Sequence, residues 1–282
     1  MTGGAAYDDL GSLYDVWCSE VVEDIPFWVG LVGALAHEVR RTNLDVLELG
    51  AGSGRISLPL AHAGHRVTGI DLSTVQLETL RARAREAGLD GLVTTHLGDM
   101  RELDALVTPA SFDVALVPFR GLLHVTGERD SVLAAAARAL RPGGVLAFDV
   151  FHPDDRQVAA AHDRWLKRRV EPTAHGQWRF DERGRYGVVA GSDERTLDVD
   201  VRARWTPTRR GKPNRGAELA DPADGESHER TALLQLQLAP ATAWLASLVA
   251  AGLEVDGAYG WFDARPLADD DDDSIWVARA PR

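Results

Sequence analysis

The chain has 282 residues, is 45% hydrophobic, and carries a formal net charge of −12 with a single cysteine, Cys18. This is enough for a sizeable core in one large domain, or in a domain with an appendage, while the acidic balance argues against a nucleic-acid partner, which calls for a basic face. No apolar run reaches the ~18 residues of a membrane span, the start lacks the basic-then-apolar order of a signal peptide, and a lone cysteine forms no intrachain disulfide, so no membrane partner and a reducing, cytoplasmic setting are expected.

Residues 7–41 read as two amphipathic helical pieces. The first runs through Tyr7, Leu10, Tyr14 and Trp17; the second starts at Pro26, a favoured first-turn position, and continues through Trp28, Leu31, Leu35 and Val39. Val46, Leu47 and Leu49 then mark a short buried strand, and Gly50, Gly52 and Gly54 follow at once, ahead of a new helix. Glycine there permits positive φ and lets a ligand approach the main chain, while the helix start supplies free N–H groups. The spacing is one residue tighter than the G-x-G-x-x-G of dinucleotide folds, and no Lys-Ser/Thr pair follows as in a P-loop. Glu48, just before the first glycine, suits a ligand that bears an ammonium group.

Val67 to Leu72 gives a second strand ending in Asp71, where a ribose-binding carboxylate sits in such folds and accepts from both hydroxyls. A crossover helix through Val75, Leu77, Leu80 and Ala84 stops at Gly88. The third strand spans 93–97, and at its end Asp99 is placed to bond an adenine amino group, with Met100 packed on the ring. A short helix over 101–107, a fourth strand over 112–119, an alanine-rich helix from Asp130 to Leu140 and a tight turn at Arg141-Pro142-Gly143-Gly144 lead to a fifth strand. Beyond residue 153 the pattern changes. The basic stretch 164–169 is predicted helical, and period-two alternation at 178–181, 185–189, 196–205 and 231–238 predicts half-buried antiparallel strands. A long polar loop from Pro207 to His228 separates the last two, and the basic clusters at 167–169 and 209–212 read as solvated faces. A helix from Pro240, closed by Gly252, and strands at 253–259 and 274–279 complete the chain. The acidic run 269–273 reads as a solvated hairpin connection, so no metal is expected.

Taken together, Glu48-Leu49-Gly50-Ala51-Gly52-Ser53-Gly54, Asp71, Gly98-Asp99-Met100, Phe112-Asp113 and Leu140-Arg141-Pro142-Gly143-Gly144 resemble the class I S-adenosylmethionine-dependent methyltransferases of small-molecule type. The likeness spans residues 40–150 and is specific as an ensemble. It implies an α/β fold: a Rossmann-like seven-stranded sheet with S-adenosyl-L-methionine across its C-terminal strand ends. The corresponding divisions are an N-terminal helical lid at 1–42, the cofactor-binding core at 43–152, an antiparallel β insertion over the acceptor site at 153–238, and a helix and hairpin at 239–282 that finish the core sheet.

The resemblance also assigns residues. Tyr14, Glu48, Gly50, Ala51, Gly52 and Gly54 are expected at the cofactor, with Arg55, Asp71, Leu72, Gln76, Asp99, Met100, Val117 and Pro118. His124, on the loop after the fourth strand, is similar to the catalytic histidine of aminosugar N-methyltransferases, and Tyr7 to the tyrosine paired with it. The loop itself departs from theirs, with Phe119-Arg120-Gly121-Leu122-Leu123 where they carry Ser/Gly-rich residues. Phe119, Arg120, Phe151, His152, Trp178 and Trp205 are expected around the acceptor. The implied reaction is methyl transfer to an amine nitrogen or hydroxyl oxygen of a small molecule, with nitrogen favoured; a glycine N-methyltransferase-like enzyme and a homodimer both fit. A non-catalytic S-adenosylmethionine-binding regulator and an NAD(P)-dependent oxidoreductase stand as alternatives, the latter disfavoured by the glycine spacing and by the absence of a Tyr-x-x-x-Lys pair.

Overall fold

The computed structural model describes residues 3–11, 13–18, 21–207, 221–222 and 226–282, with side chains from Tyr7 onward. Most of the expected 207–228 loop, including the 209–212 basic cluster, lies outside the described residues. The strands are β1 (Asp45–Leu49), β2 (Arg66–Asp71), β3 (Val93–Leu97), β4 (Phe112–Val117), β5 (Leu140–Phe151), β6 (Trp165–Pro172), β7 (Gly176–Val188), β8 (Arg195–Pro207), β9 (His228–Leu238), β10 (Glu254–Tyr259) and β11 (Asp273–Arg279). The α-helices are α1 (Gly3–Leu10), α2 (Leu13–Cys18), α3 (Ile25–Glu38), α4 (Ser57–His62), α5 (Thr74–Glu86), α6 (Leu103–Leu106), α7 (Arg129–Ala139), α8 (Asp155–Ala161) and α9 (Ala241–Ala250).

Seven strands form one sheet in the order β10-β11-β5-β4-β1-β2-β3. β1 to β5 run parallel, and β11 is antiparallel to both its neighbours. Val46, Leu47 and Leu49 of β1 are fully buried, as a strand covered on both faces requires. The strand order reverses beside β1, which pairs with β2 on one side and β4 on the other, so a crevice opens at the C-terminal ends of these strands.

β6 to β9 form a separate four-stranded antiparallel sheet. One face of it carries Phe180, Val201, Ala203, Trp205 and Leu234, which pack on Leu10 and Leu13 of the N-terminal helices. The N-terminal segment therefore has its apolar face against the second sheet and its polar side toward the crevice.

Three local expectations change. Gly11, at φ 54°, splits the first helical piece into α1 and α2. The basic stretch 164–169 is extended, not helical: β6 pairs along β7 from Trp165 opposite Arg183 to Pro172 opposite Gln177, and Arg168 and Arg169 are neutralised by Glu182 and Glu171. Cross-strand partners settled what local composition left open. The acidic run is not simply solvated, since Asp271 pairs with Arg265 at 2.5 Å, Asp273 with Arg120 at 2.7 Å, and Asp272 accepts from Gln157. Among the described residues, no group of three or more His, Cys, Asp or Glu is placed to hold a metal ion, and no helix is long and apolar enough to cross a membrane.

Candidate functional site

A cleft of about 1180 Å³ lies over the crevice, floored by the glycine turn and walled by the N-terminal helices and the second sheet. β1 leaves the sheet at Leu49, and the chain bends through Gly50 at φ 76° and Gly52 at φ 52°. A side chain built on Gly52 would meet no atom within 4 Å, so its backbone borders open space. Asp71 closes the far side of the turn, where its carboxylate accepts from Gly52 N and Ser73 N, each at 2.8 Å. Burial pushes the Asp71 carboxyl up.

Beneath the turn sits Glu48, buried and accepting from Ser57 Oγ. Burial pushes its carboxyl up to about 8, against the pull of Ser57 and Arg55. Arg55 reaches back to buried Asp24, with Nη1 and Nη2 at 2.5 and 2.7 Å from its two oxygens, and Trp28 Nε1 also donates to that carboxylate at 3.1 Å. The same guanidinium lies 4.7 Å over the Phe119 ring. At the other end of the cleft Asp99 pairs with Arg101, which holds its carboxyl below the usual range although burial opposes it, and Met100 Cε is 4.0 Å from the position of a Cβ on Gly50.

The N-terminal helices are fastened by side chains from several elements. Tyr7 Oη lies 2.9 Å from His124 Nε2, Asp8 accepts from Ser73 Oγ at 2.5 Å, and Gln76 Nε2 donates to Gly11 O at 3.2 Å. Asp15 accepts from Ser53 Oγ at 2.7 Å and pairs with Arg83 at 2.8 Å. Tyr14 meets Tyr7 edge-on at 5.1 Å. Burial raises the Tyr7 phenol far above its ordinary value and lowers His124 to about 4. At neutral pH the pair is therefore uncharged, and the phenol donates to the imidazole nitrogen in the tautomer that carries its proton on Nδ1.

The cleft gathers Tyr7, Tyr14, Glu48, Gly50, Ala51 and Gly52. It also takes in Arg55, Asp71, Leu72, Gln76, Asp99 and Met100, and on the facing wall Pro118, Phe119 and His124. Other expected site residues lie elsewhere. Gly54 faces α5, where a Cβ would come within 2.3 Å of Leu80 Cδ1, and Val117 points into the core. Arg120 turns away to Asp273 and lies 4.4 Å over the Phe151 ring, which packs at the edge of the core. His152 Nε2 is 3.3 Å from Asp193 O, at the β7–β8 hairpin. Trp178 and Trp205 stand opposite each other in the register of β7 and β8 and are buried against Leu13, away from the cleft lining. From the second sheet, the residues lining the cleft include Trp165, Arg183, Arg202, Glu229 and Thr231 instead.

Sequence reasoning gave no site role to Asp15, Ser53, Ser73 or Arg83. Ser73 had a readable signal, because it caps α5 by accepting from Gln76 N at 3.1 Å in a Ser-x-x-Gln pattern. The others contact each other across separations no local pattern reveals.

Residues 46–144 match a family model described as a methyltransferase domain. The phosphatidylethanolamine N-methyltransferase of Cereibacter sphaeroides is 35% identical over 123 residues, which are 44% of this chain and 58% of that protein. The 27-O-demethylrifamycin SV methyltransferase of Amycolatopsis mediterranei is 38% identical over 107 residues, 38% of each chain. The chain spans about half the length of the curated relatives it matches. Among solved structures, the CcbJ methyltransferase of Streptomyces caelestis superposes with a TM-score of 0.74 at 23% identity over 98% of both chains. CalS10, an amino pentose methyltransferase of Micromonospora echinaspora, gives 0.67 at 18% identity over 95% of this chain and 96% of its own. These likenesses extend the shared fold across the N-terminal helices and the second sheet, beyond the matched domain.

Proposed function

We propose, from the methyltransferase domain that residues 46–144 form, that this chain transfers a methyl group from S-adenosyl-L-methionine to an amine nitrogen of a small molecule. The donor set fits that cofactor. The open backbone at Gly52, the buried acid Glu48 below it, and Asp71 and Asp99 at the strand ends offer partners for an amino acid moiety, a ribose and an adenine in order along the cleft. When bound, the cofactor supplies an electrophilic sulfonium methyl, so the chain's own task is to align a lone pair and exclude water.

The observation that carries nitrogen over oxygen is the half-buried Tyr7–His124 pair at the cleft wall. An imidazole held near 4 is a poor base for a hydroxyl, whereas a neutral amine attacks without losing a proton first. Tyr7 Oη accepts an N–H of the amine, its own proton stays on the bond to His124, and the nitrogen lone pair is left free for the methyl. The insertion and the lid exclude water around this pair.

Calorimetric titration with S-adenosylmethionine and its demethylated product tests the class. Binding of both supports it, and an amine panel assayed by mass then tests the acceptor; binding of neither by folded protein removes the reading. Asp71→Ala is expected to weaken cofactor affinity by about 1.5–3 kcal/mol, as for lost charge-assisted hydrogen bonds. Unchanged affinity would rule Asp71 out as the ribose partner.

Glu48 makes a pH prediction. Its carboxyl sits near 8, so pairing with an ammonium below that pH releases a proton. Affinity should therefore rise by up to about tenfold per pH unit towards pH 8, near which an α-amino group itself begins to lose charge. A profile that stays flat over this range excludes Glu48 as the ammonium partner.

A further inference from the structure

The turn that carries Phe119 into the cleft is made of an unusual pair. Phe119 has φ 57° and Arg120 φ 61°, the one place among the described residues where two consecutive side-chain-bearing residues adopt the left-handed region. Each is a costly conformation for a residue with a Cβ, and a pair persists only where its surroundings hold it. The turn also launches the short helical stretch Gly121–His124, through Gly121 N to Pro118 O at 3.3 Å and Leu123 N to Arg120 O at 3.0 Å. Any relaxation at 119–120 therefore moves the aromatic ring and the histidine together.

Asp149 stands beside it. It lies one residue beyond Phe148, which pairs with Val117 in the β4–β5 register, and it is 6% exposed. Its Oδ2 accepts from the Arg120 backbone N–H at 3.1 Å, while Oδ1 has no partner. The Arg120 guanidinium does not supply one, being held by Asp273 at 2.7 Å. The charged groups that bear on Asp149 are Arg120 from the turn itself, Asp24 ahead of α3, and Arg55 from the glycine turn. Arg55 lies 4.7 Å over the Phe119 ring, so the residue is held through the backbone of its turn by one acid and across its ring face by a cation that Asp24 fixes.

We infer that Asp149 is a positioning residue: its buried carboxylate locks the left-handed Phe119–Arg120 turn and thereby sets Phe119 and His124 against the cleft. The inference rests on the proposed function only in naming the cleft as the place of methyl transfer.

The test compares Asp149→Asn, which keeps an acceptor for the Arg120 amide, with Asp149→Ala, which does not. In Asp149→Ala, hydrogen exchange of a peptide covering 118–125 should quicken by about tenfold while the β1 and β2 peptides are unchanged. Asp149→Asn should stay near wild type, and adding Arg120→Gly to Asp149→Ala should restore protection, because glycine adopts the left-handed region freely. Asp149→Asn behaving like Asp149→Ala, or a uniform quickening across the chain, would overturn the inference. A second readout does not depend on Asp149→Ala folding. Burial pushes the Asp149 carboxyl up to about 7, so the Arg120 amide resonance should titrate near neutrality in the wild type and stay fixed in Asp149→Asn. A resonance that titrates equally in the wild type and in Asp149→Asn counts against it. Failure to bind S-adenosylmethionine would sink the proposed function and leave these readouts standing.

Discussion

Tyr7→Phe is expected to slow methyl transfer to an amine by about 10- to 100-fold while cofactor affinity stays within about threefold of wild type. The phenol oxygen lies 2.9 Å from His124 Nε2, and with the imidazole proton on Nδ1 it donates there, which fixes the rotation of its O–H and leaves an oxygen lone pair for the acceptor N–H. Phenylalanine keeps the ring contact with Tyr14 and removes that acceptor, so the loss falls on the step after binding. His124→Ala should cost less, about tenfold, because the phenol survives and loses only its fixed orientation. With His124 uncharged down to about 4, the rate at limiting acceptor should follow the neutral fraction of the amine and show no break at the ordinary histidine value. A hydroxyl acceptor, or a profile that breaks near about 6.5, would contradict the nitrogen assignment. The same depression has a stability sign. Between the unfolded value of about 6.5 and the folded value, only the unfolded chain binds the proton, so stability falls as pH drops through that window.

The main sheet was legible because each of its parts carries a local signature: apolar runs for buried strands, glycines at the first turn, an acid at the end of β2. Those signals arise from burial and backbone conformation, which neighbouring residues determine. The second sheet was legible only where alternation was strong. β6 was misread because its residues are mostly exposed and its conformation is imposed by β7, far along the chain. Site residues divide the same way. Tyr7, Asp71 and His124 fall in the cleft, as the motif positions imply. Trp178 and Trp205 do not, because which face of a strand looks inward depends on what covers it, and α2 covers theirs. Phe151 and His152 failed for a related reason: they lie at the end of β5, where the Phe151 ring packs on the core under the Arg120 guanidinium and His152 reaches the β7–β8 hairpin. Nothing short of the fold shows that Asp15 would reach Ser53 and Arg83.

Gly54→Ala is expected to destabilise the fold by about 2–5 kcal/mol, combining a left-handed backbone with overpacking. Gly54 has φ 96°, and a Cβ there would sit 2.3 Å from Leu80 Cδ1 and 3.1 Å from Leu58 Cγ. Leu80 is fully buried between Ala51 and Leu77, so its side chain has little room to retreat without pushing α5 off the turn. For a chain of this size the change corresponds to a fall in melting temperature of about 4–20 °C, measurable by calorimetry. Leu80→Ala separates the two causes. Alone it opens a cavity and costs about 2–5 kcal/mol; combined with Gly54→Ala it gives the new methyl a place to go, so the double variant should be less destabilised than the sum of the singles. What the double variant does not recover is the backbone term. Strict additivity would mean that the glycine is required for its conformation alone, and the close packing of α5 on the turn would have to be dropped as the reason the third glycine stands off the cleft.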